Sequence, residues 1–405
     1  MVPTLVLLAA TFASICGERV KVCDEIGVRP YARINNKFGN QLLNVLSTDA
    51  GNLFFSPSSL SSLLSAVYYG ARGETANNLT EFGYLSLQYE NASLVTPRLS
   101  YCLELLHNLK NTTGEFNLER ANAMLIQKDF PIHKQYKYNL SKTFGALAEE
   151  VDFVGHRDKV VEWVNSWVRE KTHNKIFKLV DDLDESTRLL LLSAIYFKGT
   201  WRTKFDESNT KQRPFYNNGN RSPTSVPTMK MHAKLPFLYD YANRYRALQI
   251  PYNGNDTSML VLLPFEKDGL DKLQKTITYD TILELLDSLQ ETEVTVSLPK
   301  FRIEYSRKMR NDLENIGFRG LFSPDADFSG ISGRQSLCVS NVIHKAVIEV
   351  NEDGSEAAAP SGGIGFIRKT SKDPRNEFVA DHPFLFYIVD NRSGSNLFVG
   401  RVKEI

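Results

Sequence analysis

An uninterrupted apolar run, RLLLLSAIYFKGTW, spans residues 188–201 and restricts the fold more than any other feature. Such a run, which ends here at Gly199, is typical of a buried strand. Strand-like runs also occur in ALQIPY, SMLVLLP and VTVSLPKFRIEY, and PFLFYIVDNRSGSNLFVGRV predicts a hairpin around a Ser/Gly turn. YDTILELLDSLQ lies between them with helical spacing. Strands and helices mix without a strict strand–helix–strand rhythm, which predicts an α+β fold with large sheets.

Two further segments carry helical signals. In NLFFSPSSLSSLLSAV, Ser56 stands before Pro57 as an N-cap residue stands before a first-turn proline, and apolar residues follow at helical spacing. In VVEWVNSWVREK the apolar residues share one helical face: Val160, Trp163, Val164, Trp167 and Val168. The second segment therefore predicts an amphipathic helix that packs on another part of the fold.

The composition is that of an ordinary globular protein, with 405 residues, 42% of them hydrophobic and 23% charged. At about 150 residues per domain the length predicts two or three domains, although no linker divides the chain. The formal net charge is +1 and no long run of Lys and Arg occurs. Since nucleic-acid-binding proteins are usually more basic or clearly patchy, this charge argues against a nucleic-acid partner.

The N-terminus carries a short apolar run, TLVLLAATFASICG, that ends in small residues. The run is too short to cross a bilayer and fits the core of a signal peptide, so residues 1–17 are predicted to be removed near Cys16 or Gly17. A buried N-terminal helix is the alternative. No later run is long and apolar enough to anchor the chain in a membrane, and we expect a secreted, extracellular product.

Seven Asn-x-Ser/Thr sequons occur in the chain. Together with a signal peptide they predict a surface that carries glycans. The sequons begin at Asn78, Asn91, Asn111, Asn139, Asn220, Asn255 and Asn391.

The cysteines do not form a disulfide scaffold. Once Cys16 leaves with the signal peptide, Cys23, Cys102 and Cys338 remain, an odd number that leaves at least one thiol free or intermolecular. Their spacing fits no metal site, so neither a metal nor another cofactor is expected.

Catalytic motifs are not found in the sequence. Gly-x-Ser-x-Gly, His-Glu-x-x-His, Gly-x-Gly-x-x-Gly and P-loop patterns do not occur, and the seven His residues are scattered. A triad assembled from distant residues stays open, because triads are defined by geometry. With no positive sign of catalysis, we expect a protein that is not an enzyme.

Seven segments resemble the serpin family, in the family's order and with comparable spacing: NLFFSPSSL, GARGETANNL, LLLLSAIYFKGTWRTKFD, VPTMKMHAKLPFLYD, LPKFRIEYSRKMRNDLENIGF, NVIHKAVIEVNEDGSEAAAPS and DHPFLFYIVDNRSGSNLFVGRV. The resemblance implies one monomeric domain over residues 18–405, with three β-sheets, eight or nine helices and an exposed reactive loop. It replaces the count of two or three domains. In this family a protease cuts the loop, which then inserts as a new strand in the middle of the main sheet.

The implied reactive loop covers about residues 352–374, EDGSEAAAPSGGIGFIRKTSKDP, and its hinge must fit between two strands. Strand side chains alternate between faces. One face here is small and uncharged: Ser355, Ala357, Ala359, Ser361 and Gly363. Glu356 falls on the other face, where it can stay in water, although a flexible linker could also be this rich in small residues. The hinge comprises Glu352, Asp353, Gly354, Ser355, Glu356, Ala357, Ala358, Ala359, Pro360 and Ser361.

The resemblance also locates the bond that the protease cuts. The recognised residue usually lies sixteen positions after the hinge Glu, which gives Arg368 and the bond Arg368–Lys369. Trypsin-like proteases hold a basic side chain with a carboxylate at the bottom of their specificity pocket. The predicted partner is therefore a trypsin-like serine protease in a covalent complex. The loop is slightly long beyond Arg368, which makes Lys369 the second candidate, and two ordinary surface charges are the alternative.

Pro360 departs from the family pattern. The family usually has a small residue with a free N–H at this position, and Pro is unusual in a central strand. Its loss of one ladder hydrogen bond, worth about 0.5–1.5 kcal/mol, predicts slower or shallower insertion. Slower insertion would let the protease complete hydrolysis and escape.

Ser193 is the second departure, because the family usually has Asn there. The resemblance places it in a hydrogen-bonded cluster with Ser56, Ser59 and His344, where the sheet must open. A hydroxyl reaches less far than an amide, so a missing or water-mediated bond to His344 is expected. Trp201 is expected to pack at the top of the sheet, where insertion starts.

Three functions follow. The first is a secreted suicide inhibitor of trypsin-like proteases. The second is a non-inhibitory serpin, such as a carrier, a chaperone or a cleaved substrate, which Pro360 favours. The third is a secreted hydrolase, without a motif behind it. Heparin or another polyanion is a weak candidate partner, since RLSYCLELLHNLKN offers only Arg98, His107 and Lys110.

Overall fold

The computed structural model describes residues 28–81, 116–334, 336–353 and 376–405. These ranges contain eight α-helices: α1 (Val28–Val45), α2 (Pro57–Gly70), α3 (Gly73–Glu81), α4 (Lys134–Phe144), α5 (Arg157–Lys171), α6 (Leu270–Thr276), α7 (Tyr279–Ser288) and α8 (Arg310–Asn315). They also contain fourteen strands: β1 (Leu53–Phe55), β2 (Phe116–Gln127), β3 (Ala146–Val151), β4 (Leu189–Gly199), β5 (Lys211–Phe215), β6 (Thr224–Asp240), β7 (Tyr245–Pro251), β8 (Thr257–Pro264), β9 (Gln290–Pro299), β10 (Phe301–Lys308), β11 (Val339–Val350), β12 (Glu377–Val379), β13 (Phe384–Asp390) and β14 (Ser395–Val402).

One sheet has five strands in the order β10-β11-β4-β2-β3. The apolar run that predicts a buried strand forms β4, and all of its residues are buried. The sheet is covered on both faces, which explains why the run does not alternate with polar residues. Helix α5 covers the outer face through Val160, Val164 and Val168. The inner face packs against the second sheet, with Ile195 and Phe197 in the shared core.

The second sheet has nine strands in the order β1-β14-β13-β8-β7-β6-β9-β12, with β5 attached to β6. The resemblance implies three sheets, but the described residues form two. The two further sheets are joined into one because β6, which is 17 residues long, pairs with strands of both. Its first part pairs with β5 and β9, and its last part, from Phe237 to Asp240, pairs with β7. The α+β class, with about eight helices around large sheets, is confirmed.

Two local predictions are confirmed. The Ser56 hydroxyl accepts a hydrogen bond from the N–H of Ser59, and Pro57 is the first residue of α2. The predicted hairpin is β13 and β14, and the turn between them contains Gly394 with φ +71°. A left-handed backbone of this kind favours Gly.

The amphipathic helix is confirmed as α5, but its packed face is narrower than the pattern predicts. Val160, Val164 and Val168 are buried, whereas Trp163 is 39% exposed. The Trp163 ring stacks on that of Trp167, with centroids 6.1 Å apart. Trp167 packs against the core beneath α5, and Trp163 lies on its solvent side.

No described helix combines the length and the apolar character needed to cross a membrane. Among the same residues, no group of three or more His, Cys, Asp and Glu side chains is placed to hold a metal ion. Cys338 is a free thiol in the described part of the chain, and Cys23 and Cys102 lie outside it.

Candidate functional site: the seam between two parallel strands

β4 and β11 run side by side and parallel, and we call the line between them the β4–β11 seam. On their other sides, β4 pairs antiparallel with β2, and β11 pairs antiparallel with β10. Parallel pairing is slightly less stable per residue than antiparallel pairing. The seam is therefore the line along which the middle of this sheet separates most easily. Ser193 and His344 face each other directly across it.

A chain of buried hydrogen bonds crosses beneath the seam. Nδ1 of His344 lies 3.0 Å from Oγ of Ser193, which lies 3.0 Å from Oγ of Ser59. The Ser59 hydroxyl donates to Oδ1 of Asn122 over 3.0 Å. The main-chain N–H of Ser56 donates to Nε2 of His344 over 3.1 Å. These five residues, which we call the seam cluster, tie β11, β4, β2 and the start of α2 together.

The His344 ring is neutral, and this fixes the direction of the chain. The ring is fully buried, and burial lowers its pKa to about 3, although the contact with Ser193 opposes that shift. Because the Ser56 N–H can only donate, Nε2 must accept and Nδ1 carries the proton. His344 therefore donates to Ser193, Ser193 to Ser59 and Ser59 to Asn122. Each hydroxyl in the chain both accepts and donates.

The prediction that the Ser193 hydroxyl falls short of His344 is wrong. The two residues occupy the same level of neighbouring strands, and the imidazole spans the distance that a shorter Ser side chain leaves. Ser193 is fully buried, so the bond is made directly in a site closed to solvent. The length of the Ser193 side chain alone does not decide the bond, because the longer His344 side chain also extends toward it.

Asn122 is the member of the seam cluster that sequence reasoning missed. It lies in β2 directly opposite Ser193 and is 2% exposed. Its Nδ2 atom has no hydrogen-bond partner among the described residues. An Asn inside the otherwise apolar ANAMLI, residues 121–126, was the available signal, because a buried amide needs partners.

Trp201 lies just past the end of β4, beside the start of the reactive loop. Its indole N–H donates to the carbonyl oxygen of Asn351 over 2.8 Å, and its main-chain N–H donates to that of Asp353 over 3.2 Å. The ring is 2% exposed and stacks on Tyr252, with centroids 4.5 Å apart. The Phe205 N–H donates to the carbonyl oxygen of Glu352 over 3.1 Å. Trp201 therefore lies at the top of the seam, as expected.

The side chain of Glu352 is held by a second set of contacts. Its Oε2 lies 2.7 Å from Nζ of Lys300, and its Oε1 accepts from the Thr210 hydroxyl over 2.7 Å. Burial alone would raise the pKa of this carboxyl, but the bonds from Lys300 and Thr210 outweigh it and the pKa is lowered. Asp353 accepts from Lys204 over 3.0 Å. We call Glu352 with Lys300 and Thr210 the hinge clamp.

The remaining predicted residues of the loop lie outside the described residues. These are Gly354, Ser355, Glu356, Ala357, Ala358, Ala359, Pro360, Ser361, Arg368 and Lys369. The basic residues considered for a polyanion, Arg98, His107 and Lys110, also lie outside them.

The sequons differ in whether the asparagine amide is already hydrogen-bonded. Asn220 and Asn255 are exposed, and among the described residues neither donates a hydrogen bond from its Nδ2 atom that would oppose a glycan. In contrast, Nδ2 of Asn391 donates to the Asn255 carbonyl over 2.7 Å, and Nδ2 of Asn139 donates to the Tyr69 hydroxyl over 2.5 Å. The first three sequons are placed differently. Asn78 lies in α3, and Asn91 and Asn111 lie outside the described residues.

A comparison with family models decides the relationship. The model described as serpin (serine protease inhibitor) matches residues 33–405. The chain belongs to the serpin family. The family is one of protease inhibitors, and a protease is the partner that this membership supports.

Relatives of this serpin include named proteins from Tachypleus tridentatus and Ixodes ricinus. Intracellular coagulation inhibitor 1 of Tachypleus tridentatus is 39% identical over 385 residues, which cover 94% of this chain and 90% of that protein. Iripin-3 of Ixodes ricinus is 40% identical over 376 residues, covering 92% and 94%.

Solved serpin structures share the fold. Uncleaved ovalbumin superposes with a TM-score of 0.82 at 25% identity, covering 93% of this chain and all of that one. Serpin48 of Tenebrio molitor gives a TM-score of 0.80 at 27% identity, covering 93% and 98%. Human thyroxine-binding globulin gives 0.82 at 25% identity, covering 93% and 99%.

Proposed function

We propose that this serpin inhibits trypsin-like serine proteases as a suicide substrate. The catalytic serine oxygen of the protease attacks the carbonyl carbon of Arg368 and the Arg368–Lys369 peptide bond breaks. The serine proton passes to the leaving amine, which becomes the new N-terminus at Lys369. An ester joins the protease to Arg368, and the hinge enters the β4–β11 seam before water hydrolyses that ester. The protease is carried along and distorted.

The proposal rests on the position of the hinge at the end of the seam. β11 ends at Val350, and the chain continues through Asn351 beside the residues that follow β4. A segment that returned from there into the seam would run antiparallel to both neighbours. One parallel ladder would be exchanged for two antiparallel ladders, a gain in both the number and the quality of the hydrogen bonds.

The contacts around the seam support a sheet that stays closed until the loop is cut. The seam cluster bridges the two strands from below, through the bond between Ser193 and His344. The hinge clamp fixes the start of the loop through Glu352 and Lys300. Each contact must be broken or rearranged when a new strand enters, so both add to the barrier against premature insertion.

The basic residue in the loop supports a trypsin-like target. A guanidinium group at Arg368 can form a charge-assisted, bidentate pair with a carboxylate in the specificity pocket of the protease. Lys369 would suit the same class of protease and remains the second candidate. The relatives named as coagulation inhibitors fit a role against proteases of this general kind.

We also propose that the protein is secreted, on the strength of the apolar run in residues 1–17 and the seven sequons. Two relatives are called intracellular in their names, so the location needs its own test. N-terminal sequencing of protein from the medium of expressing eukaryotic cells would support the proposal if the chain starts near residue 18. Retention inside the cell with Met1 intact would contradict it.

A non-inhibitory role is the second candidate, because Pro360 removes one donor from the inserting strand. In this role the protein would be a carrier, a chaperone or a cleaved substrate. The thyroxine-binding globulin structure, which contains a bound hormone, is an example of a carrier with this fold.

The test of target class is the rate at which the protein inactivates purified proteases. We expect time-dependent, stoichiometric loss of activity with a trypsin-like protease and not with a chymotrypsin-like one. Arg368→Ala should slow the inactivation by roughly 10⁴-fold, because the carboxylate of the pocket is left without its partner. Lys369→Ala is the matched control and should change the rate little. If Lys369→Ala slowed the inactivation and Arg368→Ala did not, the reactive residue would be Lys369. If the wild-type protein inactivated neither protease, the non-inhibitory role would be favoured.

A further inference from the structure

The turn between β7 and β8, residues 252–256, carries the sequon Asn255-Asp256-Thr257. Asn255 is exposed and has a left-handed backbone with φ +63°, a conformation that Asn adopts more readily than most residues. Its Oδ1 atom accepts a hydrogen bond from Nη1 of Arg202 over 2.9 Å. This bond fixes the carbonyl side of the amide and leaves the Nδ2 atom, where a glycan is attached, facing away from Arg202.

Thr257, the third residue of this sequon, has a hydroxyl that the fold does not use. The residue is fully buried, and its Oγ1 atom has no hydrogen-bond partner in the described part of the chain. An unpartnered buried hydroxyl lowers the stability of the fold, and a valine of the same shape would avoid that loss. The sequon needs the hydroxyl, because only Ser or Thr at this position makes Asn255 an acceptor for a glycan. The hydroxyl of Thr257 is thus explained by the modification and not by packing.

Asn391, the neighbouring sequon asparagine, is instead part of the fold. Its Nδ2 atom donates to the main-chain carbonyl of Asn255 over 2.7 Å. Its Oδ1 atom accepts from the Ser258 hydroxyl over 2.7 Å and from Nε2 of Gln249 over 3.1 Å. The hydroxyl of its sequon, on Ser393, is already hydrogen-bonded. A sugar on Nδ2 of Asn391 would start against the main chain of Asn255, so we expect one glycan at this corner, on Asn255.

The turn between β7 and β8 lies beside the start of the reactive loop. The Tyr252 ring stacks on Trp201, and Trp201 donates its main-chain N–H to the carbonyl oxygen of Asp353. Arg202, which holds the Asn255 amide, is the next residue after Trp201. The attachment point of the glycan is therefore a close neighbour of the residues from which the loop departs.

We propose that Asn255 carries an N-linked glycan that stands beside the start of the reactive loop and slows the approach of proteases to Arg368. This inference rests on the proposed function and on secretion, since such glycans belong to secreted proteins. In the transfer, Nδ2 of Asn255 bonds to the anomeric carbon of an oligosaccharide carried on a lipid diphosphate. The bond from that carbon to the diphosphate breaks, the lipid diphosphate leaves, and Nδ2 loses one proton to water. Because Thr257 is buried in the folded chain, the transfer precedes the folding of this turn.

A glycan at this position acts by its volume. N-linked glycans are bulky and hydrophilic, and they occupy the solvent around their attachment point. The reactive loop departs from the same corner, so a protease that engages Arg368 approaches past the glycan. A protease that is broad around its active site is slowed more than a compact one. The glycan therefore adds a selection by size to the selection by charge that Arg368 provides.

Two substitutions of Thr257 separate the glycan from the fold. Thr257→Ala destroys the sequon and Thr257→Ser keeps it, while both remove the same methyl group and both keep Asn255 with its bond to Arg202. Each full-length protein is made with its own N-terminus in eukaryotic cells and, as the glycan-free control, in bacteria. Mass spectrometry of the peptide that contains Asn255 measures its occupancy. The rate at which trypsin attacks Arg368 is measured by counting trapped and cleaved molecules together, so the readout does not depend on inhibition.

We expect a glycan on Asn255 and none on Asn391 in the secreted wild type and in Thr257→Ser. Secreted Thr257→Ala should lack the Asn255 glycan, and trypsin should attack it about tenfold faster, a change within the range that variants of one interface show. The three bacterial proteins should be attacked at one common rate. If protease is attacked at these rates but never trapped, the inference stands and the proposed inhibition fails.

Four results would overturn the proposal. Asn255 could be bare while another sequon of the same molecule carries a glycan, which would reject the site. Equal rates for secreted wild type and secreted Thr257→Ala, with Asn255 occupied in the wild type, would reject the shielding. A faster attack on Thr257→Ala from bacteria as well would assign the effect to the substitution itself. A protein kept inside the cell without any glycan would remove the proposal of secretion and this inference together.

Discussion

The ammonium group of Lys300 lies 2.7 Å from the buried carboxylate oxygen Oε2 of Glu352, at the point where the chain leaves β11 for the reactive loop. Glu352 is 5% exposed, and the Thr210 hydroxyl occupies its other oxygen. The carboxylate is therefore held in place at the top of the seam. Loss of Lys300 leaves the Glu352 carboxylate without its counter-charge in a site that is nearly closed to water.

Lys300→Met should lower the free energy of unfolding by about 2 kcal/mol, less than the roughly 3–5 kcal/mol for a fully buried pair, since Lys300 is partly exposed. Heat or urea unfolding measures this loss. Lys204→Met is the matched control, because its partner Asp353 is half-exposed and such pairs contribute at most about 1 kcal/mol. Equal losses in the two variants would show that the hinge clamp has no special role.

Ser193→Ala should destabilise the protein by about 1–3 kcal/mol, because the proton on Nδ1 of His344 loses its acceptor in a buried site. Ser65→Ala is the control. The Ser65 hydroxyl is also buried but has no hydrogen-bond partner in the described part of the chain, so its removal should be neutral or slightly stabilising. Urea unfolding of both variants tests this. A similar change in both would mean that the seam cluster contributes nothing beyond packing.

Stability should fall on acidification below pH 6.5 because of His344. Its folded pKa of about 3 lies below the unfolded value of about 6.5, so the unfolded state binds the extra proton between these values. The stability that His344 contributes is complete above pH 6.5 and is lost toward pH 3, at up to about 1.4 kcal/mol per pH unit. The lowered pKa of Glu352 acts only below about pH 4.3, outside the range from pH 5 to 6.5.

His344→Gln should be less stable than the wild type but should show a flatter pH dependence between pH 5 and 6.5. Thermal midpoints across this range are the measurement. A His344 variant with an undiminished slope would contradict a buried, neutral imidazole in the seam cluster.

Pro360→Ala should increase the fraction of encounters that end in a trapped protease. The substitution restores one N–H to the inserting strand, worth about 0.5–1.5 kcal/mol, and faster insertion leaves less time for hydrolysis. The measurement is the number of inhibitor molecules consumed for each protease molecule inactivated, which should fall. Pro374→Ala, at the far end of the loop, should leave that number unchanged. No difference between the two variants would remove Pro360 as the cause of any escape.

Features that depend on neighbouring residues in the chain could be predicted from the sequence. The N-cap at Ser56, the buried strand β4 and the β13–β14 hairpin each have a local cause, such as a hydroxyl before a proline or a run without polar residues. The seven motifs then gave the family and the overall architecture.

Features that depend on long-range contact could not be predicted. Asn122 is hydrogen-bonded to Ser59, and Lys300 forms an ion pair with Glu352. The partners in each pair are tens of residues apart, and no local sequence pattern indicates that they meet. The bond between Ser193 and His344 was predicted to fail because its length depends on the register of two strands. The joining of two sheets through β6 likewise depends on strand pairing and not on local pattern.

We propose above that this serpin traps a protease as an ester at Arg368. The most direct test mixes the purified protein with excess trypsin-like protease and examines the products on a denaturing gel and by mass spectrometry. We expect a band at the summed mass of the protease and the N-terminal part of the serpin, and this band should survive denaturation. We also expect a released peptide that begins at Lys369. Complete cleavage after Arg368 with no such band, for the wild type and for Pro360→Ala alike, would contradict inhibition by trapping and would leave the protein a substrate.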